Sequence, residues 1–296
     1  MDLSGVFIPT ATPFDDAGEV DLQSFRSNVS RWLSYPIRGL VVGGSTGEAV
    51  LLDEDERSRL LGAAREALGD RLLIAGTGAE SRRATLRLTK DAAARGADAV
   101  LVQPPAFYRG AMSAEATAEH YRAVAEESPV PVIVYQVPLK MCTLDMPNEM
   151  VAELSSHPNI VGIKDSRGKL ELVGDLVARC ERDFQVLVGN GALLLQALEE
   201  GAVGGILGVA NLMPGACTTI ASAYAAGETS RAREVQGLVA PVHIGIIGGM
   251  GVPGVKAALD LLGYRGGVPR PPLRPLPSPL LDEIGAILGG ANLPIR

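Results

Sequence analysis

Cysteine is scarce: Cys142, Cys180 and Cys217 are the only three in 296 residues, far apart and without metal-ligand intervals. That excludes a disulfide framework and fits a reducing compartment. Positive charge is in deficit, with 27 Lys and Arg against 34 Asp and Glu and a net charge of −7. A nucleic-acid partner is therefore not expected, because phosphate binding needs clustered cations. The start, Met1–Thr10, has no basic segment and no apolar run before the first turn, so no signal or transit peptide is expected. The three His (His120, His157 and His243) show no metal spacing and are read as structural. What is abundant is apolar: 47% hydrophobic residues against 21% charged. That excludes disorder and allows a large core. The length suits two ordinary domains, or one barrel of about 250 residues with an appendage.

One stretch, Leu238–Val255, has no Asp, Glu, Lys or Arg and is long enough to span a bilayer. Pro241, Pro253, His243 and five Gly make it a poor lipid-facing helix. It is expected to be a buried helix and a Gly-rich loop of a soluble, cytoplasmic protein with no membrane partner.

Eight near-continuously apolar runs recur along the chain, as strands buried on both faces should. They are Gly5–Thr10, Gly39–Gly43, Arg71–Gly76, Ala99–Gln103, Val130–Tyr135, Ile160–Lys164, Phe184–Gly189 and Gly204–Val209. Helix signals lie between them: the acids Asp53–Glu56 with Gly69 beyond, Ser81 with Gly96, and Ser113 with Glu115. Trp32 reads as core and Asp53–Glu56 as a solvated helix start. The pattern predicts an α/β fold, a (β/α)8 TIM barrel with a C-terminal helical appendage. Residues 1–211 form the expected barrel core, and 212–296 the last barrel helix and helical extension. An open doubly wound sheet fits less well, because no G-x-G-x-x-G follows the first run. The Pro-rich stretch Val268–Pro279 is expected to be an extended strap along the surface.

In a barrel, chemistry belongs where strands end. Lys164 follows Ile160-Val161-Gly162-Ile163, which points its stem toward the barrel mouth. It is either a snorkelling or salt-bridged Lys, with Asp165 a candidate partner, or a Schiff-base nucleophile. A free Lys has a pKa of about 10.4, so only about one in 2,500 is neutral at pH 7. Burial among apolar walls can lower that pKa by several units. Tyr135 ends the neighbouring run and is either a plug or a proton shuttle. The loop Gly43-Gly44-Ser45-Thr46-Gly47-Glu48 offers hydroxyls and a nest of N–H groups that suits a carboxylate, and equally suits a tight turn.

Together, the hydroxyl loop, Tyr135-x-x-Pro138 and Lys164 resemble the dihydrodipicolinate synthase/N-acetylneuraminate lyase family in order and spacing, nearly from Gly5 to the Pro-rich tail. The resemblance implies that Lys164 forms an imine with pyruvate or another 2-oxo acid and that Tyr135 shuttles protons. Ser45 and Thr46 would serve the carboxylate and the relay. Gly189 and Ile206 would line the site with backbone carbonyls, and Gly47, Ser166 and Asn190 would complete the substrate contacts. No metal or organic cofactor is implied, because the protonated imine is itself the electron sink. The partners implied are pyruvate and an aldehyde, in a homotetramer built as a dimer of dimers.

Departures from the family pattern narrow the substrate. The lysine-pathway synthases carry a relay Tyr where this chain has Phe107, although Tyr108 follows it. An Arg that holds the second substrate's carboxylate is here Lys140, which keeps the charge and loses the bidentate fork. Tyr35–Gly39, Tyr108–Gly110, His157–Ile160, Gly251–Gly254 and Ser166 stand closer to the 4-hydroxy-2-oxoglutarate aldolase branch. Gln136, Leu139 and Met141-Cys142 match no branch. The leading expectation is a class I aldolase or lyase of that kind. The alternatives are 4-hydroxy-tetrahydrodipicolinate synthase, a sugar-acid dehydratase and a non-catalytic 2-oxo-acid sensor.

Overall fold

A computed structural model describes residues 1–295. Each apolar run becomes a short parallel strand, its ends shifted by a few residues. The strands are β1 (Gly5–Pro9), β2 (Gly39–Val42), β3 (Leu72–Gly76), β4 (Ala99–Val102), β5 (Val132–Gln136), β6 (Ile160–Asp165), β7 (Gln185–Val188) and β8 (Gly204–Ile206). They pair in chain order, and β8 closes on β1 with Phe7 opposite Ile206. This is the expected (β/α)8 barrel.

Strand alternation sorts the apolar side chains into two layers. Phe7, Val41, Ile74, Leu101, Ile133, Leu187 and Ile206 meet inside the barrel, none more than 2% exposed. Ile8, Leu40, Leu73, Val100, Val134, Ile163 and Val186 face outward into the layer shared with the helices. The barrel is therefore plugged, and a site can form only at its end.

The helices begin where their caps lie. They are α1 (Leu22–Leu33), α2 (Glu54–Leu68), α3 (Arg82–Ala94), α4 (Ala114–Glu127), α5 (Asn148–Ser155), α6 (Leu170–Arg179), α7 (Leu194–Glu199) and α8 (Pro214–Ala225). Asp53 opens α2 with a reciprocal capping box to Glu56, and Ser81 and Ser113 cap α3 and α4. The start of α2 is not wholly solvated as expected. Glu56 is 4% exposed, because Arg270 from the Pro-rich strap reaches it with two hydrogen bonds of 2.6 Å.

Beyond the barrel lie α9 (Thr229–Val242), α10 (Gly251–Leu261) and α11 (Ser278–Gly290). The expected Gly-rich loop is instead a π-helical stretch, His243–Met250, joining α9 to α10. Pro241 sits inside α9 and has no N–H to donate, which frees a carbonyl and favours a wider turn. The stretch is also not fully buried: Ile244 is 64% exposed. By length and hydropathy, Thr229–Leu261 is apolar enough to cross a membrane. Here it packs on the barrel mouth and on α11; a Cβ at Gly245 would come within 2.6 Å of Ile287. The strap before α11 is extended, as expected.

Candidate active site

The register places the chemistry. Tyr135 on β5 pairs with Lys164 on β6, which pairs with Leu187 on β7, so all three share one level of the barrel. Gly162 and Lys164 alternate with Ile163, which faces the helices, so Lys164 must point inward. Asp165 points the opposite way, and Arg167 claims it with hydrogen bonds of 2.8 Å from both its backbone N–H and Nε. Arg167 also reaches Asn148 at 2.7 Å, so that outward network is complete without Lys164. Among the described residues Lys164 has no carboxylate partner. It is 5% exposed, and its Nζ stands 4.2 Å from the centroid of the Tyr135 ring. The salt-bridged alternative is thereby removed.

The Tyr135 hydroxyl lies 3.3 Å from the Ser45 hydroxyl, within reach of a shared proton. Ser45–Gly47 form one tight turn after β2, closed by the Gly47 N–H donating to the Gly44 carbonyl at 3.0 Å. Gly189, just past β7, is required by close approach. A Cβ there would sit 1.9 Å from Ser166 Oγ and 3.2 Å from Lys164 Cε. The glycine leaves room for the lysine stem and the Ser166 hydroxyl to stand side by side.

These groups surround a cavity of about 70 Å³. Of the residues singled out by sequence, Ser45, Thr46, Tyr135, Pro138, Lys164, Ser166, Gly189 and Ile206 line it. Gly47 and Asn190 stand behind the wall: the Gly47 carbonyl accepts from Thr12, and the Asn190 side chain caps the turn at Ala192. Lys140 lies outside the cavity at its rim and donates to the Gly248 carbonyl, tying the loop after β5 to the π-helical stretch. Phe107 and Tyr108 lie away from it on an exposed loop, 79% and 74% accessible.

The roof of the cavity is not legible in the sequence. Met141, Gly208, Ile247, Gly251, Val252 and Val255 complete the lining. The motif Gly251-Val252-Pro253-Gly254 was noticed, yet nothing local says that it folds over a mouth built many residues earlier. Gln136, which matched no pattern, is 0% exposed and staples the loop after β5. Its amide donates to the carbonyls of Val137 and Leu144, and its Oε1 accepts from the Met146 N–H. His243 supports the far wall, its Nδ1 accepting from the Gly191 N–H at 3.2 Å; burial pushes its pKa down to about 4. A larger hollow of about 560 Å³ lies under the strap, but it is walled by Phe14, prolines and Arg270 and holds none of these groups.

A (β/α)8 barrel with a buried, unpaired lysine beside a phenol at its mouth defines the class, a pyruvate-dependent class I aldolase or lyase. The profile of the Dihydrodipicolinate synthetase family matches residues 2–290, and the chain belongs to that family. It is 39% identical over 288 residues to a probable mitochondrial 4-hydroxy-2-oxoglutarate aldolase of Emericella nidulans, covering 96% of this chain and 92% of the relative. It is 34% identical over 274 residues to a 4-hydroxy-tetrahydrodipicolinate synthase of Exiguobacterium sp., covering 92% of each. The dihydrodipicolinate synthase of Acinetobacter baumannii, solved with pyruvate, superposes with a TM-score of 0.93 at 29% identity, over 98% of this chain and 99% of that one.

Proposed function

We propose that this enzyme is a Schiff-base aldolase that cleaves a 4-hydroxy-2-oxo diacid of the 4-hydroxy-2-oxoglutarate kind to pyruvate and glyoxylate. The observation that carries the chemistry is the unpaired Lys164 amine over the Tyr135 ring, with the Tyr135 hydroxyl beside Ser45. The amine attacks the C2 carbonyl and the carbinolamine loses water, leaving a protonated imine. Removal of the C4 hydroxyl proton lets the C3–C4 bond break. Its electron pair passes into the imine as an enamine, and the aldehyde departs. Protonation at C3 and addition of water then release pyruvate and restore the amine. Tyr135 carries the protons, with Ser45 and Thr46 as its relay and as donors to the C1 carboxylate. Ser166 and the carbonyls of Gly189 and Ile206 hold the substrate, and Lys140 at the rim meets the distal carboxylate.

Two observations favour this branch. Phe107 offers no hydroxyl to a relay, and the fungal aldolase relative is 39% identical. The second reading, condensation of pyruvate with aspartate semialdehyde, is favoured by the cation kept at Lys140 and by relatives such as the Exiguobacterium synthase. A homotetramer in the cytoplasm completes the proposal.

Incubation with pyruvate and borohydride tests the mechanism. Peptide mass should show the reduced adduct on Lys164, and an unmodified Lys164 under turnover conditions would sink it. Parallel assays then separate the branches. Faster condensation of aspartate semialdehyde than cleavage of any hydroxy-oxo acid would replace the aldolase with the synthase.

A further inference from the structure

Glu48 leaves the Ser45–Gly47 turn in the left-handed region, with φ 58. A residue with a Cβ stays there only where its surroundings hold it. Its side chain is fully buried and both carboxylate oxygens are engaged. Lys256 Nζ donates to Oε1 at 2.7 Å, and the Arg270 backbone N–H donates to Oε2 at 2.8 Å. Lys256, 1% exposed, also donates to the Thr12 carbonyl at 2.8 Å, and the Thr12 hydroxyl donates to the Gly47 carbonyl at 2.8 Å. A closed circuit thus runs from Glu48 through Lys256 and Thr12 back to Gly47. The Phe14 ring covers it, 4.3 Å from Lys256 Nζ and 4.2 Å from the Arg270 guanidinium.

Both ends of this circuit adjoin the candidate active site. Glu48 follows the turn that presents Ser45 and Thr46, and Lys256 follows Val255, which lines the same cavity. A buried ion pair is a poor device for stability alone, because desolvating two charges offsets most of their attraction. It is a good device for holding one geometry, since each partner is strongly penalised when the other moves. The Ser45–Tyr135 contact, at 3.3 Å, is near the long end of hydrogen-bond range and has little slack.

We propose that Glu48 and Lys256 are positioning residues whose buried pair holds the Ser45–Thr46 turn and the α10 wall at one spacing, and thereby sets the proton relay to Tyr135. This rests on the reading of Lys164 as the imine-forming residue with Tyr135 as its proton shuttle.

The test is a set of mutant cycles read in kcat and KM for aldol cleavage. Lys256→Met and Glu48→Gln should each lower kcat about tenfold or more, with KM moving less than about threefold, and the double variant should be no slower than the slower single one. Ser45→Ala should cost rate in the wild-type background and little in Lys256→Met, where its contact with Tyr135 is already lost. A folded Lys256→Met enzyme with unchanged kcat, or one in which Ser45→Ala costs as much as in wild type, overturns the proposal. If Lys256→Met does not fold, the isosteric Glu48→Gln variant carries the same cycle with Ser45→Ala. Borohydride trapping keeps the two readings apart. Wild type that traps no pyruvate on Lys164 defeats the imine mechanism, whereas trapping in wild type with full kcat in Lys256→Met defeats only the positioning role.

Discussion

Lys140 and Phe107 are the residues on which the choice of branch turns, and the structure gives them different surroundings. Lys140 Nζ is held at the rim by the Gly248 carbonyl, so on the proposed reading the substrate's distal carboxylate would replace a neutral acceptor with an anionic one. Lys140→Ala should raise KM for hydroxy-oxo diacids about fivefold, the scale of a solvent-exposed charge contact of about 1 kcal/mol. KM for pyruvate should move less. Equal changes for both would remove Lys140 from recognition of the distal end. Phe107 does not line the cavity, so Phe107→Tyr should leave cleavage within a few-fold of wild type. Restoring a missing acid–base group typically changes rate by about 10²–10⁴. A gain of that size in Phe107→Tyr would show that the enzyme lacks a relay it needs.

Among the helices, α4 carries a titration with a stability consequence. His120 is 9% exposed, and its Nε2 has no hydrogen-bond partner among the described residues. Burial, with a smaller contribution from the charge of Arg82, pushes its pKa from 6.5 to about 4. Above pH 6.5 it is neutral whether folded or unfolded. As pH falls from there to about 4, the unfolded chain takes a proton that the folded one refuses, so stability is lost across that window, by about 3 kcal/mol. His120→Leu should remove that part of the slope and leave stability at pH 7 equal or higher, measured by denaturant titration at pH 7 and pH 4.5. An unchanged slope would mean that His120 is protonated in the folded state. The same helices mark how far the sequence could be read. Ser81 and Ser113 announce α3 and α4 because capping is local, and Lys164 and Tyr135 could be placed because strand alternation is local too. The π-helical stretch, the roof residues Ile247 and Val252, and the Glu56–Arg270 pair depend on contacts made across most of the chain. No local pattern records those. Glu56 looked like any acid in a first helical turn until Arg270 arrived.

For the whole molecule, the exposed aromatic pair is the sharpest feature. Phe107 and Tyr108 pack edge to face with centroids 5.2 Å apart, on a loop that leaves both largely open. Aromatic anchors of this kind are enriched at subunit contacts. Light scattering at working concentration should report the proposed tetramer, and Phe107→Asp with Tyr108→Asp should shift it toward smaller species. A wild-type monomer would remove the assembly from the proposal. The plugged barrel has a different consequence, one of order in time. With Phe7, Leu101, Ile133 and Leu187 filling the axis, the chamber is a cul-de-sac with no passage through the barrel. On the proposed mechanism pyruvate stays tethered to Lys164 while the aldehyde fragment leaves, so both fragments share one way out. Departure would then be a queue, last in and first out: the aldehyde of the proposed cleavage would clear the doorway before hydrolysis frees pyruvate. On the same proposal, pyruvate would be seated before its partner in the synthetic direction.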